Sequence, residues 1–110
     1  HMIIEKRTYS LRPGGVAQYM EIYKKYGLQI QTKILGGLVG WFHPEFGELN
    51  QIVHMWAYKS LSERTRRRAK LHRTKEWQTY LAKQREAELI VKQDSQILTP
   101  APWSPVPKIK

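Results

Sequence analysis

The sequence predicts an α+β domain in which the elements follow the order strand, helix, strand, strand, helix, strand. Side chains alternate along Ile3–Leu11 as in a strand, and a Gly-Gly pair at residues 36–37 ends the helical pattern that follows. A turn of hairpin length lies at residues 44–48, and a capping box formed by Ser60 and Glu63 starts a second helix directly after the third strand. This βαββαβ order is the split βαβ pattern of the ferredoxin-like fold, whose four-stranded antiparallel sheet carries helices on one face.

The first strand has a mixed face. It presents Ile3, Glu5, Arg7, Tyr9 and Leu11 on the same side, because side chains alternate along a strand. Glu5 and Arg7 therefore form either a weak surface ion pair or the polar part of an enclosed pocket.

The helix predicted over residues 16–34 has one apolar face. That face comprises Val16, Tyr19, Met20, Tyr23, Gly27, Ile30 and Ile34. Glycine in a helix interior costs about 1 kcal/mol relative to alanine. Gly27 therefore indicates either a kink or a point where helix and sheet approach closely.

The second and third strands are predicted at residues 38–43 and 49–58. The more apolar face of the third strand carries Gln51, Val53, Met55 and Ala57, and we expect it to pack on the helices. The opposite face carries Asn50, Ile52, His54, Trp56 and Tyr58. A mixed polar and aromatic face of this kind suits a partly enclosed cavity or a subunit interface.

The second helical region is predicted in two parts, residues 61–71 and a continuation capped by Thr74, with a bend near residues 72–74. The side chains expected to face inward are Leu61, Thr65, Ala69, Leu71, Trp77, Tyr80 and Leu81. A last strand is predicted at residues 88–98.

Length and composition suit one domain at residues 2–99 and a Pro-rich tail at residues 100–110, in which we expect Trp103 to dock. The absence of cysteine excludes disulfides, thiolate catalysis and Cys-based metal sites. No apolar run approaches the roughly 20 residues of a membrane span, and no leader-like apolar segment follows the N-terminus. We therefore expect a cytoplasmic protein.

Four segments carry a family resemblance: residues 5–14 (EKRTYSLRPG), 37–42 (GLVGWF), 47–58 (GELNQIVHMWAY) and 63–68 (ERTRRR). In this order they resemble the NIPSNAP family of the dimeric α+β barrel superfamily. The resemblance implies a ferredoxin-like subunit that pairs sheet against sheet. It also implies a fold similar to cofactor-independent monooxygenases of antibiotic biosynthesis, haem-degrading oxygenases and stress-responsive barrel proteins. It implies no reaction, since fold does not determine chemistry.

The sheet face opposite the helices needs a cover, because large apolar faces are rarely left in water. We expect that face to hold Tyr9, Trp41, His54, Trp56 and Tyr58, and a second copy of the sheet to cover it. The sequence therefore predicts a homodimer that forms a dimeric α+β barrel.

Two groups of residues are candidate sites. His54 beside Trp56 could hold an aromatic ligand and act as a proton acceptor or donor, or could simply pair across the dimer. Arg7 and Tyr9 could bind a carboxylate and position an oxygen, or could be structural. The catalytic candidates are His54, Tyr9 and Arg7. The ligand-binding candidates are Arg7, Tyr9, Trp41, His54, Trp56, Tyr58, Arg64 and Arg68.

A very basic stretch contains seven cations in twelve residues: Arg64, Arg66, Arg67, Arg68, Lys70, Arg73 and Lys75. Such a helix could track nucleic-acid phosphates. No aromatic side chain is interleaved for base stacking, however, and Arg64 and Arg68, four residues apart, could instead pair with acidic residues of another element. Nucleic-acid binding is therefore the less favoured interpretation. The histidine spacing indicates no metal site, and no cofactor is expected.

These observations predict a dimeric barrel protein of undetermined activity that binds a small, partly hydrophobic or anionic ligand or a protein partner. The alternative is a cofactor-independent monooxygenase or isomerase. The sequence leaves open whether the protein is an enzyme.

Overall fold

The four strands form one antiparallel sheet in the order β2-β3-β1-β4, in a computed structural model that describes residues 1–109. The elements are β1 (Ile3–Leu11), α1 (Val16–Ile22), one turn of π-helix (Tyr23–Gly27), α2 (Leu28–Leu35), β2 (Leu38–Phe42), β3 (Gln51–Tyr58), α3 (Leu61–His72), α4 (Lys75–Ala87) and β4 (Ile90–Leu98). The strand order and element order confirm the predicted α+β, ferredoxin-like fold.

The face of β3 that packs on the helices is the opposite of the one predicted. Ile52, His54 and Trp56 are at most 3% exposed, whereas Val53 and Met55 on the other face are half-buried. The expectation that a partner sheet covers the aromatic side chains is wrong for the same reason, since the protein's own helices cover them. Counting apolar residues fails here because the inner face holds a charge cluster and a cavity, whose polar side chains find partners elsewhere in the fold.

The outer face of the sheet stays partly exposed. Phe42 is 50% exposed and Leu98 is 40% exposed, and Ile4, Val53 and Met55 are half-buried beside them. Ile4 pairs with Leu98 on one side and Phe42 with Val53 on the other, so these side chains lie on one surface. We call this set the outer face.

The first helical region runs from Val16 to Leu35 and is interrupted by the π-helical turn at Tyr23–Gly27. A Cβ atom added at Gly27 would lie 2.9 Å from Cδ1 of Tyr80. Gly27 therefore marks a close approach between this region and α4, rather than between helix and sheet. π-Helical turns often occur at functional sites, and Tyr23 opens this one.

The basic helix α3 turns three of its four arginines inward, and Arg66 stays exposed. Leu61 is 54% exposed, and Thr65 and Ala69 are exposed, so the predicted inner face is wrong except at Leu71. The inward positions belong to Arg64, Arg67, Arg68 and Leu71, of which Arg67 reaches the carbonyls at the end of α2. Long arginine stems bury well while their guanidinium groups reach polar partners, which a simple apolar pattern does not reveal.

Both helix starts in the second half are capped as predicted. Oγ of Ser60 accepts a hydrogen bond from N–H of Glu63 at 3.1 Å, and Oγ1 of Thr74 accepts one from N–H of Trp77 at 3.2 Å. The Glu63 carboxylate does not return to the cap, because it accepts hydrogen bonds from Arg66 and Arg67. Thr74 thus begins α4 after the predicted bend.

The tail after β4 has no regular secondary structure up to residue 109. Trp103 is 85% exposed, so it does not dock within the described chain, and its docking elsewhere stays a prediction. Within the described part of the chain, no helix has the length and apolar character to cross a membrane.

Candidate functional site

A cavity of about 240 Å³ lies between the inner face of the sheet and the helices. It is lined by Arg7, Tyr9, Tyr19, Tyr23, Gln31, Trp41, His54, Arg68, His72, Trp77, Tyr80, Leu81, Gln84, Ile90 and Gln93. His72, Ile90 and Gln93 are exposed, so they mark the mouth. A cavity of this volume is far larger than a single water molecule needs and suits a small organic molecule.

A stack of three rings builds one wall. Trp41 stacks on His54 at 5.1 Å between ring centroids and on Tyr23 at 4.8 Å. Tyr9 meets His54 edge to face at 5.3 Å. These contacts fix the three rings and the ring of Tyr9 in place on one wall of the cavity.

His54 is held neutral with a fixed tautomer. Burial lowers its pKa to about 3, and the nearby positive charge of Arg7 acts in the same direction. Nε1–H of Trp56 donates to Nδ1 of His54 at 2.7 Å, so the ring proton lies on Nε2. Trp56 is thus a positioning residue, and His54 can offer the cavity a hydrogen-bond donor rather than a base.

A buried carboxylate organises the charges beside the cavity. Glu5 is fully buried and accepts hydrogen bonds from Arg7 (3.0 Å), Ser95 (2.6 Å) and both Nε and Nη2 of Arg64 (2.9 and 2.8 Å). We call these four residues the Glu5 cluster. Burial alone would raise the pKa of Glu5, but the bonds from Arg64 and Ser95 and the charge of Arg7 lower it to about 2.

Arg68 lies one helical turn after Arg64 and lines the cavity. Its guanidinium makes no hydrogen bond or ion pair with any other residue of the range 1–109. Burial lowers its pKa and so does repulsion from Arg7, while the charge of Glu5 only partly offsets them. Three guanidinium groups therefore surround one carboxylate, which leaves this region of the cavity positively charged.

The far wall of the cavity is built from hydroxyls and amides. Tyr23 donates to Oε1 of Gln31 at 2.6 Å, and Tyr80 donates to the hydroxyl of Tyr19 at 3.1 Å. Burial raises the pKa of Tyr80 to about 12, so this phenol is neutral. Within residues 1–109, Nε1 of Trp77 and Oε1 of Gln84 are buried on cavity residues and lack a hydrogen-bond partner.

Five of the eight residues proposed from the sequence line the cavity: Arg7, Tyr9, Trp41, His54 and Arg68. Arg64 instead forms an ion pair with Glu5. This is the pairing with an acidic residue of another element that the sequence allowed for Arg64. Trp56 and Tyr58 are buried behind the wall, with the hydroxyl of Tyr58 unpaired within the described chain. The sequence analysis missed Gln31, Gln84 and His72, since single polar residues on a helix carry no distinguishing pattern.

A cluster of three or more His, Cys, Asp or Glu side chains that could hold a metal ion is absent from residues 1–109. The cavity chemistry rests on guanidinium, imidazole, indole, phenol and amide groups.

The NIPSNAP family model matches residues 4–105 of the chain. Protein NipSnap homolog 3A of Pongo abelii is 35% identical over 105 residues, which cover 94% of this chain and 41% of that protein. The human homolog 3A is 34% identical with the same coverage. The chain therefore spans about two fifths of the length of these curated relatives.

Solved structures give the same relationship. An uncharacterized NIPSNAP-like domain protein from Burkholderia xenovorans is 41% identical with a TM-score of 0.92, covering 99% of this chain and 93% of that one. A NIPSNAP family protein of unknown function from Agrobacterium tumefaciens is 42% identical with a TM-score of 0.90, covering 96% and 94%. A candidate antibiotic biosynthesis monooxygenase from Nitrosomonas europaea shares the fold alone, with 12% identity, a TM-score of 0.66 and coverage of 96% and 95%.

Proposed function

The chain belongs to the NIPSNAP family, and we propose that it binds a small organic anion, an aromatic carboxylate in particular, in the cavity between its sheet and helices. The observation that carries the proposal is the unpaired guanidinium of Arg68 on the cavity wall. A half-buried cation beside two further arginines is costly unless an anion compensates it. A carboxylate matches the planar guanidinium through paired hydrogen bonds.

The rest of the wall supports the same ligand class. His54 can donate through Nε2, and the indole of Trp77 holds an unpaired N–H donor. Tyrosine and tryptophan rings surround these groups, which suits an apolar or aromatic body. The excess of donors over acceptors favours a ligand rich in acceptor oxygens.

Binding is better supported than acid–base catalysis. The enzyme alternative, a cofactor-independent monooxygenase or isomerase, needs a group that removes a proton. The Glu5 carboxylate is held by four hydrogen bonds from Arg7, Arg64 and Ser95, and Nδ1 of His54 accepts from Trp56. His54, Tyr9 and Arg7 therefore serve better as donors that hold an anion than as catalysts.

Titration calorimetry with benzoate, phenylacetate and 3-phenylpropionate tests the proposal. We expect saturable binding of at least one of them, and a loss of about tenfold or more in Arg68→Met, because a charged hydrogen bond contributes roughly 1.5–3 kcal/mol. Arg73→Met is the matched control, since Arg73 is an exposed cation that follows the same helix and does not line the cavity. Heat signals that are equal in wild type and Arg68→Met, or absent throughout the series, would sink the proposal.

We also propose that a second copy of the chain covers the outer face, which replaces the aromatic face predicted from the sequence. Half-exposed Ile4, Val53 and Met55, together with exposed Phe42 and Leu98, give this face the apolar character of an interface core. Sedimentation should find a dimer at tens of micromolar, and Phe42→Glu should weaken it. A monomer at that concentration contradicts this second proposal and leaves the cavity proposal intact.

Nucleic-acid binding through α3 loses its main support. Arg64 bonds Glu5, Arg67 bonds the carbonyls of Ile34 and Leu35, and Arg66 pairs with Glu63. The cations that remain exposed on this stretch are too few for a phosphate-tracking helix. A cytoplasmic location is proposed on the absence of cysteine in the sequence.

A further inference from the structure

Gln84 holds a second polar anchor on the cavity wall. It lies in α4, is 7% exposed and lines the cavity. Its Nε2 donates to the hydroxyl of Tyr80 at 3.0 Å and approaches the carbonyl oxygen of Tyr19 at 3.5 Å. Because a carbonyl oxygen can only accept, Nε2 must face Tyr19, and this fixes the orientation of the amide.

The carbonyl oxygen of this amide is left without a donor. Tyr80 directs its own proton to the hydroxyl of Tyr19, so it cannot serve Gln84. Oε1 of Gln84 then has no hydrogen-bond partner anywhere in residues 1–109. Nearly all buried polar atoms in folded proteins are paired, and an unpaired one on the wall of a cavity indicates a group that enters the cavity.

The neighbouring glutamine gives the contrast. Gln31 is also buried, at 3% exposed, and also lines the cavity, but its Oε1 accepts the hydroxyl proton of Tyr23 at 2.6 Å. Two buried glutamines thus share one cavity, and Gln84 is the one whose oxygen is unpaired. The cavity therefore holds an unpaired cation, Arg68, and an unpaired buried acceptor, Gln84.

We infer that the ligand is a hydroxylated aromatic carboxylate, whose anionic group meets Arg68 and whose hydroxyl donates to Oε1 of Gln84. This inference rests on the proposed function. A site that hydrogen-bonds a ligand hydroxyl rejects the analogue that lacks it, because the buried acceptor is then left unpaired. Gln84 is the residue that selects the hydroxyl.

The test uses the parent carboxylate that binds best among benzoate, phenylacetate and 3-phenylpropionate. Its ortho, meta and para ring hydroxyl derivatives, and the methyl ether of each, are titrated into the full chain by calorimetry. We expect one hydroxyl isomer to bind at least about tenfold more tightly than the parent. Its methyl ether should not, since an ether oxygen keeps the acceptor and loses the donor.

Two variants assign the preference. Gln84→Met should lose the hydroxyl preference, so that its affinities for the hydroxyl isomer and for the parent become nearly equal, whatever the variant does to parent binding itself. Gln31→Met should keep the preference, although it leaves the Tyr23 hydroxyl unpaired. The comparison of ligands on wild type stands even if a variant folds poorly.

The outcomes separate the two proposals. Arg68-dependent binding of the parent with no gain from any hydroxyl isomer overturns this inference and leaves the proposed function standing. A hydroxyl preference that survives in Gln84→Met overturns the assignment to Gln84. Absence of binding by every parent carboxylate removes the proposed function and this inference with it.

Discussion

Arg64 and Arg68 lie one turn apart on α3 and differ in their partners. Arg64 gives two hydrogen bonds to the Glu5 carboxylate, at 2.9 and 2.8 Å, and these raise its pKa. Arg68 has no such partner within the described residues, and burial lowers its pKa. The same residue type on the same helix is thus satisfied at one end of the inner sheet face and unsatisfied at the other.

The difference separates a structural region from a binding region. In the Glu5 cluster the charges compensate each other, so the cluster holds α3 against β1 and β4. On the cavity wall, the guanidinium of Arg68 and Oε1 of Gln84 have no partner in the described chain and remain available to a ligand. Natural proteins often retain such destabilising groups where function needs them.

The largest expected effect comes from removing the carboxylate that completes the cluster. Glu5→Gln leaves Arg7 and Arg64 facing each other without compensation. Breaking a buried ion pair in this way costs roughly 3–5 kcal/mol. Urea unfolding should show a loss of this order in the free energy of unfolding.

The matched control is Asp94→Asn on β4, whose carboxylate pairs with Lys92 at 3.6 Å with both side chains mostly exposed. That change should leave stability within about 0.5 kcal/mol. If Glu5→Gln lowered the free energy of unfolding no more than Asp94→Asn does, the Glu5 cluster would not be a structural region.

The second largest expected effect is a loss of folding stability at acid pH, and burial of His54 causes it. Its pKa is lowered from 6.5 to about 3 on folding, so between these values the unfolded chain binds a proton that the native chain does not. Stability is therefore complete above pH 6.5 and falls as the pH is lowered towards 3. Between pH 6.5 and 4.5 the loss is about 2 kcal/mol for this single group.

His54→Gln should flatten that part of the pH profile, and His72→Gln at the exposed mouth should not. Glu5 adds a separate loss at lower pH, because its pKa falls from 4.5 to about 2 on folding and its contribution disappears through that range. Equal slopes in wild type and His54→Gln between pH 6.5 and 4.5 would mean that His54 is not buried as a neutral group.

The sequence predicted the strands, the helices and their caps better than it predicted which faces of these elements turn inward. The bounds Ile3–Leu11 and the caps at Ser60 and Thr74 follow from local patterns, and local hydrogen bonds realise them. Which face of β3 turns inward depends on partners far away in the chain. The inner face around His54 also has to accommodate Glu5, which pairs with Arg64 and Ser95, 59 and 90 residues away.

In the candidate site, too, local patterns reveal some residues and distant partners decide the others. Arg7, Tyr9, Trp41, His54 and Arg68 could be proposed because strand alternation and helical spacing carry them. Gln84 could not, because its importance lies in the unpaired state of one oxygen. That state depends on the hydroxyls of Tyr19 and Tyr80 in the folded chain.

The smallest expected change in stability is an increase, whereas the other changes are losses. Arg68→Met keeps the packing of the side chain and removes a cation that Arg7 repels, so it should stabilise the free protein by up to about 1 kcal/mol. Adding the carboxylate that binds best, at about 100 times its Kd, stabilises wild type by roughly 2.7 kcal/mol and the variant hardly at all. The two proteins should therefore exchange their order of melting temperatures when ligand is added. Arg73→Met should track wild type in both conditions. A variant that melts below wild type without ligand would mean that Arg68 has a structural partner, and the contrast with Arg64 would be lost.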